Sequence, residues 1–442
     1  MQNKDLSRKL AINGGKPIRE HLFPAPNFFA EEEKIAVANV LDSGILSGFL
    51  GSWHETYFYG GSKVREFESL WSEFVGSKHS VSFNSNTSGL VAAVGAVGVG
   101  PGDEVIVAPY SMSATATAVL AYHAVPVFAD IKDDIYCLDP VDIRKKITKR
   151  TKAIVVVDLF GHPADMDQIM EIANEHNIFV IEDAAQAPGA VYKNKMVGTL
   201  SDITVFSLNV HKHIHTGEGG VATTDDDGLA ERLQLIRNHG ESVVEGKEVA
   251  DIMNTFGFNT RYTEIHAAIA IEQLKKLPKL LEWRIENAKY LNSELSQFPG
   301  VSGSVVRKDC KHVYYVQPME FNRDLVGVER DVFVDAVAAE LPSSPDREGI
   351  PLVWSGYGKP LYLLPMYQQK SAIGGKGCPF ACPHYEGHVD YSIGICPVVE
   401  KVEKESLFMN DFIRPPATVE DMRDVVRAFE KVYENKDQLL GR

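Results

Sequence analysis

Between residues 79 and 207, short runs rich in valine and isoleucine alternate with stretches of helical periodicity. The strand-like runs are His79–Phe83, Glu104–Ala108, Val125–Phe128, Ala153–Leu159, Ile178–Ile181 and Ile203–Ser207. Around them, Val64–Val75, Ser88–Val97, Thr115–Ala121 and Met166–Glu175 place apolar residues at helical spacing. Such alternation predicts an α/β fold, a mostly parallel sheet with helices on both faces. Sheets of this kind bind ligands at the carboxyl ends of their strands, where the loops gather. Chemistry is therefore expected in the segments that directly follow these strands.

The rest of the chain is organised around that block. Gly14-Gly15, Pro17, Pro24 and Pro26 suit an extended arm over residues 1–29. A helical pattern runs from Ala30 to about Gly44, and a glycine- and aromatic-rich loop follows from Gly48 to Gly61. Helical character covers Arg261–Leu281 and continues through Arg284–Gln297. Beyond about residue 300 come shorter strands (Val313–Glu320), a helix (Val332–Glu340), an irregular stretch (Leu341–Ile395) and a final amphipathic helix (Val419–Tyr433). This predicts a large domain over residues 30–285 and a smaller α+β domain over 286–442. A chain of 442 residues can bury cores for both.

Composition narrows the function classes. A formal net charge of −15 would repel nucleic acid and anionic membranes. The longest apolar runs, such as Ala153–Val157, are far too short to span a bilayer. The polar start carries no secretory pattern, and five cysteines do not suggest a disulfide framework. A cytoplasmic enzyme is expected.

Four segments carry candidate chemistry. Ser85-Asn86-Thr87-Ser88 joins a strand to a helix, where backbone N–H groups and small hydroxyls favour a phosphate; an ordinary helix cap reads the same way. Asp183, in Glu182-Asp183-Ala184-Ala185-Gln186, follows a strand and could hold a protonated ring nitrogen of a cofactor, or cap a helix. Lys212 lies in a loop after the strand ending at Ser207 and precedes Gly217, Gly219 and Gly220. A lysine so placed can join a carbonyl carbon covalently and, once free, move a proton. The fourth segment is Gly257-Phe258-Asn259-Thr260-Arg261-Tyr262-Thr263-Glu264, a loop leading into a helix.

In this order and spacing the four segments resemble the DegT-type (DegT/DnrJ/StrS) sugar aminotransferase family, a branch of the fold-type I pyridoxal-phosphate enzymes. Gly14-Gly15-Lys16-Pro17, Gly100-Pro101-Gly102-Asp103-Glu104, Arg237-Asn238-His239-Gly240 and Gly358-Lys359-Pro360-Leu361-Tyr362 extend the resemblance over nearly the whole chain. It implies an aspartate-aminotransferase-like fold and pyridoxal 5'-phosphate as cofactor. Lys212 falls on the Schiff-base lysine, Asp183 on the partner of the pyridinium nitrogen, and Gln186 on the residue lying against the cofactor ring. Asn86, Thr87, Ser88 and Ser207 fall on the phosphate-binding positions. Asn259 falls on a residue that reaches the phosphate of a neighbouring subunit, which implies a homodimer with shared active sites.

The chain departs from the family pattern at several points. Met112 stands where an aromatic ring usually stacks on the cofactor, a contact that a thioether or Tyr110 could replace. Asn86 replaces a common glycine, Asn209-Val210-His211 a frequent His-Pro-Arg, and His215 a threonine or serine. A dehydratase branch has histidine in place of the lysine, so an intact Lys212 favours transamination. The resemblance implies glutamate as donor and a keto-sugar, nucleotide-linked, as acceptor. The alternative is glutamine with a cyclitol ketone of the scyllo-inosose type. A nucleotide-sugar acceptor would call for a groove with basic residues such as Lys359 or Arg284, a cyclitol for a compact polar pocket. Surface-polysaccharide or antibiotic synthesis accommodates both.

Other readings compete locally. Cys378-x3-Cys382-x-His384-x3-His388 has zinc-ligand residue types but is crowded into eleven residues, so no metal is expected and a loop of the small domain is the plainer reading. His211, His213 and His215 could share a face for a metal, though the lysine signature accounts for them. The aromatic loop Trp53–Tyr59 could stack on a sugar or cyclitol ring or be buried between subunits. A cofactor-binding scaffold without turnover would need neither Lys212 nor Asp183.

Overall fold

The strands expected from the alternation assemble into one sheet. The computed structural model describes residues 8–441 apart from 27 and 348. Seven strands lie side by side: β1 (His79–Phe83), β2 (Glu104–Val107), β3 (Val125–Phe128), β4 (Thr151–Val157), β5 (Phe179–Asp183), β6 (Ile203–Ser207) and β7 (Gly220–Thr224), in the order β1-β7-β6-β5-β4-β2-β3. The pairings from β6 across to β3 are parallel, whereas β7 runs antiparallel to both of its neighbours. Strands β2, β6 and β7 are buried along their whole length, as strands covered on both faces must be. This is the mostly parallel sheet, covered on both faces, that the alternation predicts.

Strand β7 was not expected. Its sequence, Gly220-Val221-Ala222-Thr223-Thr224, directly continues the glycine-rich lysine segment and reads as part of that loop. The structure turns the chain back after Ser207, so that Leu208 N–H donates to the Gly219 carbonyl (2.9 Å) and Val210 N–H to the Gly217 carbonyl (2.8 Å). The lysine loop is thus the connection of an antiparallel pair.

A second core forms around four antiparallel strands, β8 (Val301–Gly303), β9 (Gln317–Phe321), β10 (Val353–Ser355) and β11 (Leu407–Asn410), ordered β8-β9-β11-β10. Residues 313–316, expected as strand, form no part of that sheet. The 32-residue helix Glu264–Leu295, capped by the Thr263 hydroxyl, serves both cores. Leu274, Leu277 and Leu281 pack beside the large sheet; Ala288, Leu291 and Leu295 pack in the second core. Residues 1–7 of the expected arm lie outside the described residues. Residues 10–23 of the arm lie on the second core, where Leu10 and Phe23 are buried and Arg19 pairs with Asp421 (2.8 Å) and Asp424 (3.1 Å).

The stretch around Cys378–His388 corrects an expectation. It packs on the large sheet rather than forming a loop of the second core: the Tyr385 hydroxyl donates to Glu104 (2.9 Å) and the Tyr391 hydroxyl to the Pro126 carbonyl (2.6 Å). Residues far along the chain thereby cover strand β3, an edge that would otherwise expose unpaired backbone. Among the described residues no group of three or more His, Cys, Asp or Glu side chains is arranged to hold a metal ion, and no helix is long and apolar enough to cross a membrane.

Candidate active site

A cavity of about 340 Å³ opens at the carboxyl ends of β4, β5 and β6. Val157, Asp183 and Ser207, at the ends of these strands, all line it. The strand order brings together residues 26 and 24 positions apart in the chain. Asn86, Thr87, Met112, Gln186 and Lys212, also singled out in the sequence, line the same cavity.

One end of the cavity suits a phosphate. Helix α1 (Asn86–Ala96) begins there, and the Ser85 hydroxyl oxygen caps it by accepting from Ser88 N–H (3.1 Å). The free N–H groups of the first turn and the helix dipole favour an anion at this point. Gly220 comes so close to this turn that a Cβ there would lie 2.5 Å from the Ser85 carbonyl carbon and 2.6 Å from Asn86 N. Only glycine allows that approach. Ser88 is not brought to the cavity wall: its hydroxyl is engaged with Asn84 Oδ1 (2.7 Å) and Ser85 Oγ (2.9 Å).

Asp183 sits in the middle of the cavity floor. Its Oδ2 accepts from the Thr115 hydroxyl (2.8 Å), and its Oδ1 from Ala185 N–H (3.2 Å) and the Asn86 amide (3.5 Å). Burial pushes the carboxyl above the usual range, while those donors and the charge of Lys212 pull it back. The Asn86 amide also donates to the Val205 carbonyl (3.1 Å), so this residue spans from the helix start to Asp183.

Lys212 lies across from Asp183 with Nζ 4.4 Å from the centre of the Tyr315 ring. Gln186 is held at both ends of its amide, accepting from Phe160 N–H (2.7 Å) and donating to the Tyr357 hydroxyl (2.8 Å). Met112 is 69% exposed at the rim, and Tyr110 does not take its place. The Tyr110 ring is buried away from the cavity with its hydroxyl bonded to Glu403. His213 is buried, donates from Nε2 to the Val313 carbonyl (3.0 Å) and is held well below the usual histidine range by burial and the nearby arginines. It is a neutral brace of the lysine loop.

Asn259 does not reach this cavity. It is exposed, pairs with Asn238 across an isolated bridge, and accepts from Arg261 Nε (2.7 Å). Two wall residues, Tyr315 and Tyr357, escaped the reading of the sequence. Both come from the second part of the chain, where no motif points at the strand ends. Their common signal is a tyrosine beside a conformationally special residue, Tyr314 with φ +50° and Gly356 with φ +64°.

The donor set fits pyridoxal phosphate. A helix start kept clear by glycine could take the phosphate, a buried carboxylate could take the ring nitrogen, and a lysine lies within the same cavity. Fold and site together define a pyridoxal-phosphate-dependent aminotransferase. Residues 49–397 match the model of the DegT/DnrJ/EryC1/StrS aminotransferase family, and the chain belongs to that family. The L-glutamine:2-deoxy-scyllo-inosose aminotransferase of Micromonospora echinospora is 34% identical, over 98% of this chain and 99% of that relative. The spore coat polysaccharide biosynthesis protein SpsC of Bacillus subtilis is 33% identical, over 83% of this chain and 91% of its own. The crystal structure of an aminotransferase from Psychrobacter cryohalolentis superposes with a TM-score of 0.76 at 29% identity, covering 93% of this chain and 99% of that one.

Proposed function

We propose that this aminotransferase moves the amino group of glutamine to the ring ketone of a cyclitol of the 2-deoxy-scyllo-inosose type. The observation that carries the choice is the placement of Arg284. A nucleotide-linked acceptor needs cations for its diphosphate, yet this guanidinium is buried and donates to the carbonyls of Tyr314 (3.0 Å) and Tyr315 (2.9 Å). Similarity to the Micromonospora echinospora enzyme along almost the whole of both chains supports the same acceptor class. Glutamate with a nucleotide-linked keto-sugar is the second reading, supported by the similarity to SpsC.

When bound, pyridoxal phosphate supplies a carbonyl that exchanges with amino groups and a ring that withdraws electrons from the adjacent carbon. Lys212 is the residue proposed to hold it covalently and then, as a free amine, to take the proton from the donor's amino-bearing carbon and return it elsewhere. Asp183, whose carboxylate form Thr115 and Ala185 favour by donating to it, is proposed to hold the ring nitrogen. Thr87, Ser207 and the first turn of α1 bind the phosphate, with Ser88 fixing that turn through Asn84 and Ser85. Gln186 and Met112 flank the ring.

The proposal includes a homodimer. Ile45, Leu46, Leu50, Tyr57, Ile252, Met253, Phe256 and Phe258 are all exposed, apolar side chains that a subunit interface would cover. Asn259 belongs to the same region of the chain and would act at the partner's site. The decisive assay offers glutamine or glutamate with either a cyclitol ketone or a nucleotide-linked keto-sugar and identifies the aminated product by mass spectrometry. An aminated cyclitol formed with glutamine supports the proposal; amination of the nucleotide-linked sugar alone replaces it with the second reading.

A further inference from the structure

Directly behind Asp183 the fold buries two more carboxyls that the proposed chemistry does not use. Glu182 and Asp183 are consecutive on β5, so their side chains leave opposite faces of the sheet. Val156 on β4 is the register partner of Glu182, and Asp158 lies two residues beyond it, on the same face as Glu182. Asp158 and Glu182 have no exposed surface, and they face each other within hydrogen-bonding reach.

Their other partners account for one oxygen each. Asp158 Oδ1 accepts from Ala164 N–H (2.9 Å), and Glu182 Oε2 accepts from the Thr204 hydroxyl (2.7 Å). Asp158 Oδ2 and Glu182 Oε1 are left without any donor. The other polar groups nearby are Ser201, the Gly198 N–H, the buried thiol of Cys137 and Asp183 itself. No lysine, arginine or histidine among the described residues forms an ion pair with either carboxyl. Two full negative charges this close, with no cationic side chain beside them, would be strongly unfavourable.

We propose that Asp158 and Glu182 share a single proton, one carboxyl donating to the other across the two oxygens that otherwise lack a partner. The pair then carries one negative charge, as paired carboxyls in confined sites do. Burial raises both carboxyls above their ordinary range, and the charge of Glu182 raises Asp158 further. The consequence reaches Asp183, whose backbone carbonyl accepts from Asp158 N–H (3.2 Å). A doubly charged pair behind it would drive Asp183 toward its protonated form, whereas a singly charged pair leaves it ionised to face the cofactor. Asp158 and Glu182 are thus positioning residues, acting through Asp183. That consequence rests on the role proposed for Asp183; the shared proton does not.

The test is the infrared spectrum of the holoenzyme at neutral pH, in the region of the protonated-carboxyl C=O stretch. A band is expected in the wild type that is lost in both Asp158→Asn and Glu182→Gln and kept in Asp183→Asn. Loss in both near-isosteric variants identifies one proton held by two groups. No band in the wild type, or survival of the band in Glu182→Gln, overturns the sharing. Loss in Asp183→Asn would place the proton on Asp183 and overturn it as well. The pH dependence of Tm gives an independent readout. Folding takes up the shared proton above the ordinary carboxylate pKa, so the wild-type Tm must fall relative to that of Asp158→Asn as pH rises from about 5 to about 8. Parallel profiles would contradict the proposal.

Discussion

Replacing Thr115 by valine removes one hydroxyl from the buried floor of the site, and its effect can be worked from the structure. Thr115 is fully buried, and its hydroxyl donates to Asp183 Oδ2 at 2.8 Å. Valine keeps the shape and offers no donor. A hydrogen bond to a charged acceptor contributes about 1.5–3 kcal/mol. At about 1.4 kcal/mol per pKa unit, its loss should raise the Asp183 pKa by about 1–2 units. The sign follows from the balance already present. Burial pushes this carboxyl up and Thr115 is the first of the groups pulling it down, so removing Thr115 moves it further up. Less of the enzyme then carries the ionised Asp183 at a given acidic pH. The acid limb of kcat/KM for the first half-reaction should move to higher pH by about the same 1–2 units, with the alkaline limb in place. Single-turnover spectroscopy with glutamine across a pH series measures both limbs. Thr115→Ser restores the donor and should restore the wild-type limb. A valine variant that folds normally and keeps its acid limb would refute the assignment of Asp183 as the ionised group.

Gly220→Ala drives a Cβ to 2.5 Å from backbone that ordinary contact keeps at 3.4 Å or more, so the turn cradling the phosphate must shift by nearly an ångström. The expected cost is about 1–3 kcal/mol of stability, read as a lower Tm, with at least a tenfold loss of cofactor affinity by fluorescence titration. Arg284→Met leaves the Tyr314 and Tyr315 carbonyls without their buried donor and should cost about 1–3 kcal/mol for each carbonyl in urea unfolding. His213 and His312 are buried with their pKa values well below the ordinary range, so unfolding takes up protons once pH drops below about 6.5. Stability present above that pH is lost below it, by up to about 1.4 kcal/mol per unit for each histidine, and His213→Phe should reduce the slope of Tm against pH.

The residues that were legible in the sequence are those whose role is set locally. Val, Ile and Ala at β2, β4 and β6 read as strands because burial on both faces leaves few other residue types possible. Asp183 and Lys212 could be singled out because one stands at the carboxyl end of β5 and the other in the loop after β6. Strand β7 was hidden by its start, since the glycine that clears space for Ser85 and Asn86 reads as loop until its neighbours in space are known. Tyr315 and Tyr357 were hidden for a different reason: their place at the cavity follows from the docking of the second core. Tyr315 N–H donates to the Phe160 carbonyl (2.7 Å) and Tyr357 meets Gln186, contacts across 155 and 171 residues of chain. Arg284 reads as a candidate cation for a nucleotide groove, and only packing showed that it closes two backbone carbonyls. The same limit applied to Tyr385 and Tyr391, whose covering of the sheet edge has no signature of its own.

The most direct test of the account is to reduce the holoenzyme with borohydride, digest it and locate the cofactor by mass spectrometry. The expected result is one stable adduct of pyridoxal phosphate mass on the peptide containing Lys212, absent when glutamine is added before reduction. An adduct on another lysine, or an adduct on Lys212 that glutamine leaves in place, would contradict the central claim.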